Sequence, residues 1–370
     1  MSAPFGVSQL RARFERFVLP EYIEPQRGGV GGTLSRPPRF VSVGGQPGVG
    51  KGRVLATVSR SLPGSVVVNG DELRQFHPDY ERLMREDPLR MPEATGPASG
   101  AWVGMATACL RSQGISAVVE TTLRDAAMLR GEFEAFKAAG YDTELRVVAA
   151  PLEVSRAGTL SRYIKQVKDV GAGRWTPGTA HDAAAVNVRG TVRELVASGA
   201  VDRVVVQDRD GRVLHDALVG AGGVERGEAA AQAVDEARAV RSLSVRQVRS
   251  WVEHTADALR ELTRLGENDP DLLRVASRLA TRDAAAVVAQ AYPGDAEQQR
   301  EALARIAGAA GVVRSARFSD APPEEAGERE PGLSLPGREA AKRRLGEEIE
   351  RPPRPASGLE PPGQRRGRRR

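Results

Sequence analysis

The stretch Gly45-Gln46-Pro47-Gly48-Val49-Gly50-Lys51 fits the pattern G-x-x-x-x-G-K, and it lies between a short apolar run and a segment patterned as a helix over 52–62. Glycines at such a junction let the backbone wrap so that its N–H groups point inward at phosphate oxygens. The helix N-terminus adds a positive partial charge, and the lysine places a full charge on the β- and γ-phosphates. A Gly-rich strand-to-helix turn without a ligand is the plain alternative; the lysine and its context argue for binding of a nucleoside triphosphate such as ATP. The position after the lysine normally carries Ser or Thr, whose hydroxyl binds Mg²⁺, but here it is Gly52. Either another oxygen or a water fills that coordination position, since Mg²⁺ keeps several waters readily, or the site binds nucleotide and transfers phosphate poorly.

Two further clusters could serve an acceptor. Asn69-Gly70-Asp71 follows an apolar run and puts Asp71 at a strand end, where its carboxylate could take a proton from an attacking hydroxyl; the competing reading makes Asp71 a helix cap. Glu120-Thr121-Thr122 with Arg124 stands at the end of the next run. Glu120 could bind the acceptor or hold Mg²⁺ through water, Thr122 could donate a hydrogen bond to substrate, and a simple helix start would explain both. Arg162 and Arg174 belong to a basic segment that also holds Arg156, Lys165 and Lys168. It could fold over a triphosphate as a lid, or be only a solvated helix face. His77, His181, His215 and His254 are scattered, which indicates neither a metal site nor a catalytic triad, and Trp102, Trp175 and Trp251 read as packing residues.

These side chains need a scaffold that brings strand ends together. Short β-branched runs at 40–43, 65–68, 115–119, 145–149 and 203–206 alternate with longer helical stretches, which argues for an α/β fold with a mostly parallel sheet flanked by helices. A turn signal at 208–211 predicts a closing antiparallel hairpin with 212–214. Ahead of the sheet, a helix over 7–17 should stop at Pro20, followed by a loop over 28–38. The division expected is an N-terminal helix and loop (1–38), a kinase-like domain (39–216), an α-helical segment (217–312) and a disordered Pro/Gly/Arg-rich tail (313–370). Within the helical segment, Ser244 and Gln247 form a capping box. Val245, Val248, Val252, Ala256, Leu259 and Leu262 fall on one stripe, and Gly266 ends that helix. Asp269-Pro270 opens a second helix, closed by Pro293-Gly294, and a third follows over 296–310. A short helix around 338–349 is expected inside the tail.

With one cysteine, Cys109, there is no disulfide framework, and no run approaches the roughly 20 apolar residues of a membrane span. A soluble protein of the reducing cytoplasm is the expectation. The formal charge of +6 is concentrated in Arg365, Arg366, Arg368, Arg369 and Arg370, a tail that could touch nucleic acid or an acidic partner but carries no base-reading motif.

Taken in order, several motifs together resemble the zeta toxin family, the P-loop kinases of toxin–antitoxin systems. They are Gly44-Gly45-Gln46-Pro47-Gly48; Asn69-Gly70-Asp71 with Arg74 and His77-Pro78-Asp79-Tyr80; Glu120-Thr121-Thr122 with Arg124; Arg162-Tyr163; and Arg174-Trp175-Thr176-Pro177 running into Ala180-His181-Asp182 and Asn187. The resemblance spans about 14–214. It implies transfer of the ATP γ-phosphate to the 3′-hydroxyl of UDP-N-acetylglucosamine. Lys51 would bind phosphates, Asp71 would be the general base, and Arg162 and Arg174 would hold the nucleotide and the transferring group. Glu120, Thr122 and Arg124 would face the sugar nucleotide, and a small helical antitoxin would block the site. Gly52 departs from the family pattern, and Gly104 stands near a position where some members carry a substrate-contacting glutamate. Three alternatives stay open: a P-loop kinase of another hydroxyl compound or a nucleic-acid 5′-end, a nucleotide binder with degenerate catalysis, and a C-terminal segment that acts as an inhibitor in cis or mediates self-association.

Overall fold

The strands are β1 (Arg39–Gly44), β2 (Val66–Val68), β3 (Ala117–Thr121), β4 (Asp142–Ala149), β5 (Arg203–Asp208) and β6 (Val213–Leu218) in a computed structural model described over residues 5–27 and 37–311. They form one sheet in the order β2-β3-β1-β4-β5-β6. The first five are parallel, and β6 returns antiparallel to β5. This is the mostly parallel α/β architecture expected from the alternating runs. The tail over 313–370, with the helix expected around 338–349 and the basic cluster, and most of the 28–38 loop lie outside the described residues.

Before the sheet come α1 (Val7–Arg13) and α2 (Glu24–Arg27), joined through wide π-helical turns over Phe14–Ile23. Pro20 therefore does not stop the helix. Proline offers no N–H and its ring crowds the carbonyl four residues back, and a locally widened turn relieves that crowding without ending the helix. Between the strands run α3 (Lys51–Ser61), α4 (Gly70–Leu73), α5 (Tyr80–Glu86), α6 (Met91–Ser112), α7 (Ala126–Ala138), α8 (Leu152–Val170) and α9 (Gly178–Ala197). β3 starts two residues later than its apolar run suggests. The Ile115 N–H is spent on Leu110 O, closing the end of α6 around Gly114 at φ +67°.

Alternate strand residues serve opposite faces. Phe40, Ala117, Val119, Leu145 and Val147 enter one core, where Phe40 stacks on Phe136 with ring centroids 4.0 Å apart. Val41, Val43, Val118 and Val148 enter the other. The first core also takes Ala230, Ala233, Val234 and Ala237 of α10 (Gly223–Arg238), a helix that sequence patterning did not single out because it buries alanines and has no side-chain cap. β6 itself continues past residue 216 to Leu218.

The second core runs without a break from α3 and α8 into α11 (Val245–Leu265), α12 (Pro270–Arg278), α13 (Ala284–Ala291) and α14 (Ala296–Ala309). Ser244 and Gln247 make the capping box, and Gly266 closes α11 in the left-handed conformation. Val245 lies off the buried stripe and is exposed, whereas Trp251 is on it. α12 and α13 are one rod interrupted by a π turn over Leu279–Asp283, and that turn carries a buried aspartate, Asp283.

Candidate active site

At the C-terminal edge of the sheet, β1 leads into the Gly-rich loop and α3. Gly45, Gly48 and Gly50 have φ of +151°, +76° and +100°, conformations that side chains rarely tolerate. A Cβ on Gly48 would come within 2.8 Å of Thr159 on α8, so the loop packs backbone against helix. The Gln46 and Val49 side chains turn inward. Gln46 Nε2 donates to Ala150 O at 2.9 Å, Val49 joins the second core, and Pro47 stays half-buried at the surface.

Lys51, the first residue of α3, is buried, and its Nζ donates to Gly45 O at 2.9 Å and lies 3.4 Å from Glu120 Oε1. Burial pulls the ammonium pKa down, against the carboxylates of Glu120 and Asp71. Gly52 is exposed, and a Cβ there would meet nothing within 4 Å.

β2 delivers Asn69, whose side chain accepts the Asp71 N–H at 3.0 Å. The cap of α4 is thus Asn69, not Asp71, and the Asp71 carboxylate is left for other partners. Its Oδ1 sits 2.7 Å from Arg174 Nη1 and 3.1 Å from Arg74 Nε. Arg74 in turn donates to Pro92 O and Thr95 Oγ1 of α6, which fixes the direction of the carboxylate. Burial would raise the Asp71 pKa, but Arg174, Arg74 and Arg162 outweigh it and hold the carboxyl below its ordinary range. Arg162 donates to Thr176 Oγ1 at 2.6 Å, while its Nε is buried without a partner among the described residues. Burial, assisted by the neighbouring Arg174, lowers its pKa to about 10.

Lys51, Asp71, Glu120, Arg162 and Arg174 line one open cleft of about 1120 Å³, together with Gly48, Gly50 and Gly52. That is at or above the roughly 300–1,000 Å³ of single-ligand pockets, enough for a nucleotide beside a second substrate. Thr122 and Arg124 stand outside the lining. Leu123 between them adopts φ +55° and drives its fully buried side chain against Gly44, where a Cβ would fall within 2.7 Å of both methyls. Such a conformation is rare for a bulky residue and is held here by packing. Arg124 is exposed, and its carbonyl accepts from Asn187 at 3.5 Å. Gly104 lies on α6, outside the lining.

Sequence patterning missed the support behind the loop. Gln46 Nε2 reaches Ser155 Oγ, which contacts His181 Nε2 at 2.9 Å; His181 Nδ1 contacts Asp182 at 2.8 Å. These residues form a Ser-His-Asp relay, but Ser155 and His181 are 0% and 1% exposed, so no substrate can reach them. Asp182 also accepts from Arg156 Nε, while Arg156 Nη1 donates to both carboxylate oxygens of Asp283 at 3.1 and 3.0 Å. The Gly-rich loop is thereby tied to the C-terminal helices through a chain of polar side chains that is buried except at Asp182. Trp175 Nε1 adds a bond to Asp271 at 2.8 Å, and Trp251 Nε1 one to Glu153 O at 3.2 Å. Among the described residues no cluster of His, Cys, Asp or Glu could itself hold a metal, and no helix is long and apolar enough to cross a membrane.

The model of the family described as Zeta toxin matches residues 33–219. Toxin zeta of Streptococcus agalactiae is 28% identical over 188 residues, 50% of this chain and 65% of its own length. Toxin PezT of Streptococcus pneumoniae is 27% identical over 188 residues, 50% of this chain and 74% of its own. The match with the former thus spans less than two thirds of that relative. A solved structure of the PezAT chromosomal toxin–antitoxin system of S. pneumoniae shares the fold, with a TM-score of 0.55 at 21% identity, covering 72% of this chain and 99% of that one.

Proposed function

The chain belongs to the zeta toxin family, and from that premise we propose that it transfers the γ-phosphate of ATP to the 3′-hydroxyl of UDP-N-acetylglucosamine. The observation that carries this reading is the Asp71 carboxylate, held by Arg174 and Arg74 in the same cleft as Lys51 and the glycine loop. The loop amides and Lys51 hold the triphosphate, and Arg162 and Arg174 neutralise charge on the transferring group. Asp71 accepts the hydroxyl proton as the acceptor oxygen bonds to the γ-phosphorus. The bond from that phosphorus to the bridging oxygen breaks, and ADP leaves. Because its neighbours keep Asp71 ionised, the base is available at neutral pH and orients the hydroxyl as much as it deprotonates it.

Glu120, beside Lys51, would contact the acceptor and is the carboxylate that fits Mg²⁺ through water; Thr122 and Arg124 would be reached by the outer part of the sugar nucleotide. Mg²⁺ commonly binds through one or two carboxylates plus substrate phosphates and waters, so the missing hydroxyl at Gly52 leaves a workable donor set, and the ion would supply charge neutralisation on the phosphates. A small helical antitoxin that covers the cleft and residence in the cytoplasm complete the proposal.

The test is ADP formation by purified protein with Mg²⁺ across a panel of hydroxyl acceptors that includes UDP-N-acetylglucosamine. Stimulation by that sugar nucleotide above all others supports the reading. Stimulation by a different hydroxyl compound moves the assignment to another P-loop kinase, and ATP binding with no acceptor-dependent turnover, unchanged by Gly52→Ser, identifies a nucleotide binder instead.

A further inference from the structure

The cleft does not end at the phosphate loop. It continues past Gly50 between the β5–β6 turn and the first half of α11, where Arg246, Ser250 and His254 line it. These three recur every four residues and so share one helical face. A Cβ on Gly50 would lie 3.9 Å from that of Arg209, Arg53 approaches Asp210 at 3.8 Å, and Gln247 Nε2 donates to Asp210 at 2.6 Å. The phosphate helix, the turn and α11 are therefore one continuous wall. Ser250 O and Oγ engage His254 Nδ1 at 2.6 and 3.1 Å, which orients the imidazole.

The strand order decides which ligand this wall receives. Asp71 follows β2, and Glu120 is on β3; both strands lie to one side of β1 and its loop, whereas the β5–β6 turn lies to the other. In-line transfer puts the leaving group on the far side of the γ-phosphorus from the acceptor. With the acceptor on the Asp71 side, the nucleoside of the donor extends toward α11.

We propose that α11 provides the nucleoside subsite, with Arg246, Ser250 and His254 holding the base and ribose of the triphosphate donor. This rests on the reading of the glycine loop as the triphosphate site. A guanidinium and an imidazole offer flat faces on which a base stacks, and the hydroxyl offers a ribose partner. α11 lies beyond residues 33–219, so the C-terminal helices would complete the nucleotide site and would not act as a separate inhibitory appendage.

The test uses the full chain and calorimetric titration with ATP, inorganic tripolyphosphate and UDP-N-acetylglucosamine, comparing wild type with an Arg246→Ala/His254→Ala variant. Both side chains are exposed, so the fold should survive, which thermal unfolding checks. The expected result is about tenfold weaker ATP binding with tripolyphosphate binding unchanged. Unchanged ATP affinity would overturn the proposal. So would parallel weakening of both anions, which would make the wall a general anion attractor, or selective loss of the sugar nucleotide, which would make it the acceptor side. If the wild type binds neither ATP nor tripolyphosphate, the underlying triphosphate reading fails, and a Lys51→Ala variant that binds both as well as wild type sinks it separately.

Discussion

Gly158, in the middle of α8, is where alanine should hurt a helix that it would ordinarily help. Its Cβ would lie 3.1 Å from the Gly48 carbonyl carbon and closer still to the oxygen, inside the 3.0 Å limit that real Cβ atoms respect. The obstacle is backbone of the phosphate loop, which cannot rotate away as a side chain would. Overpacking of this kind costs about 1–3 kcal/mol, and the rigid partner puts Gly158→Ala near the upper end. The gain in helix propensity offsets about 1 kcal/mol. The net loss is then about 2 kcal/mol, or a fall of about 3 °C in Tm at about 2.1 cal/mol/K of unfolding entropy per residue over roughly 300 described residues. Gly190 on α9 is the internal control, because a Cβ there meets nothing within 4 Å. Gly190→Ala should stabilise by about 0.5–1 kcal/mol. Thermal unfolding of both variants, with ATP affinity measured beside it, checks the pair. If Gly158→Ala is as stable as wild type and binds ATP normally, the backbone-to-backbone seat of the loop on α8 is refuted.

Asp71→Asn should lower acceptor phosphorylation about 10²–10⁴-fold while ATP binding persists, which single-turnover assays and calorimetry separate. The carboxyl of Asp71 is held below its ordinary range, so activity should be full above the ordinary Asp value and be lost only as pH falls through the lowered one; a kcat/KM profile for Arg174→Met should show that acidic limb moved to higher pH. Asp283→Ala takes away the buried carboxylate that faces Arg156 Nη1, leaving buried Arg156 with Asp182 alone, and should cost about 3–5 kcal/mol in denaturant unfolding, with ATP affinity reduced through Asp182, His181, Ser155 and Gln46. Gly52→Ser has room for its hydroxyl and should lower the Mg²⁺ concentration needed for half-maximal turnover; an unchanged Mg²⁺ dependence would count against a role for that position in metal binding.

The parts of the fold that depend on local chemistry could be read from the sequence. The G-x-x-x-x-G-K run, the β-branched strands and the Ser244/Gln247 cap each carry their cause within a few neighbouring residues. What could not be read depends on distant contacts. Arg74 looks like an ordinary helix residue until α6 supplies Pro92 O and Thr95 to hold it against Asp71. Ser155, His181 and Asp283 come from three separated segments, and only folding turns them into the support of the loop. In the sequence Asp71 is as plausible a cap as a base, and only the folded position of the Asn69 side chain on the Asp71 N–H removes the capping alternative. α10 went unmarked because alanines that pack closely on α9 leave no strong periodic signal.

Phosphorus NMR of the products formed from ATP and UDP-N-acetylglucosamine, with wild type and Asp71→Asn run in parallel, reads the proposed phosphoryl transfer itself. The expected result is a new phosphomonoester on the sugar 3′-oxygen, formed together with ADP by the wild type and absent from the variant over the same interval. Bound ATP with no phosphorylated sugar, or the same product at the same rate from Asp71→Asn, would contradict it.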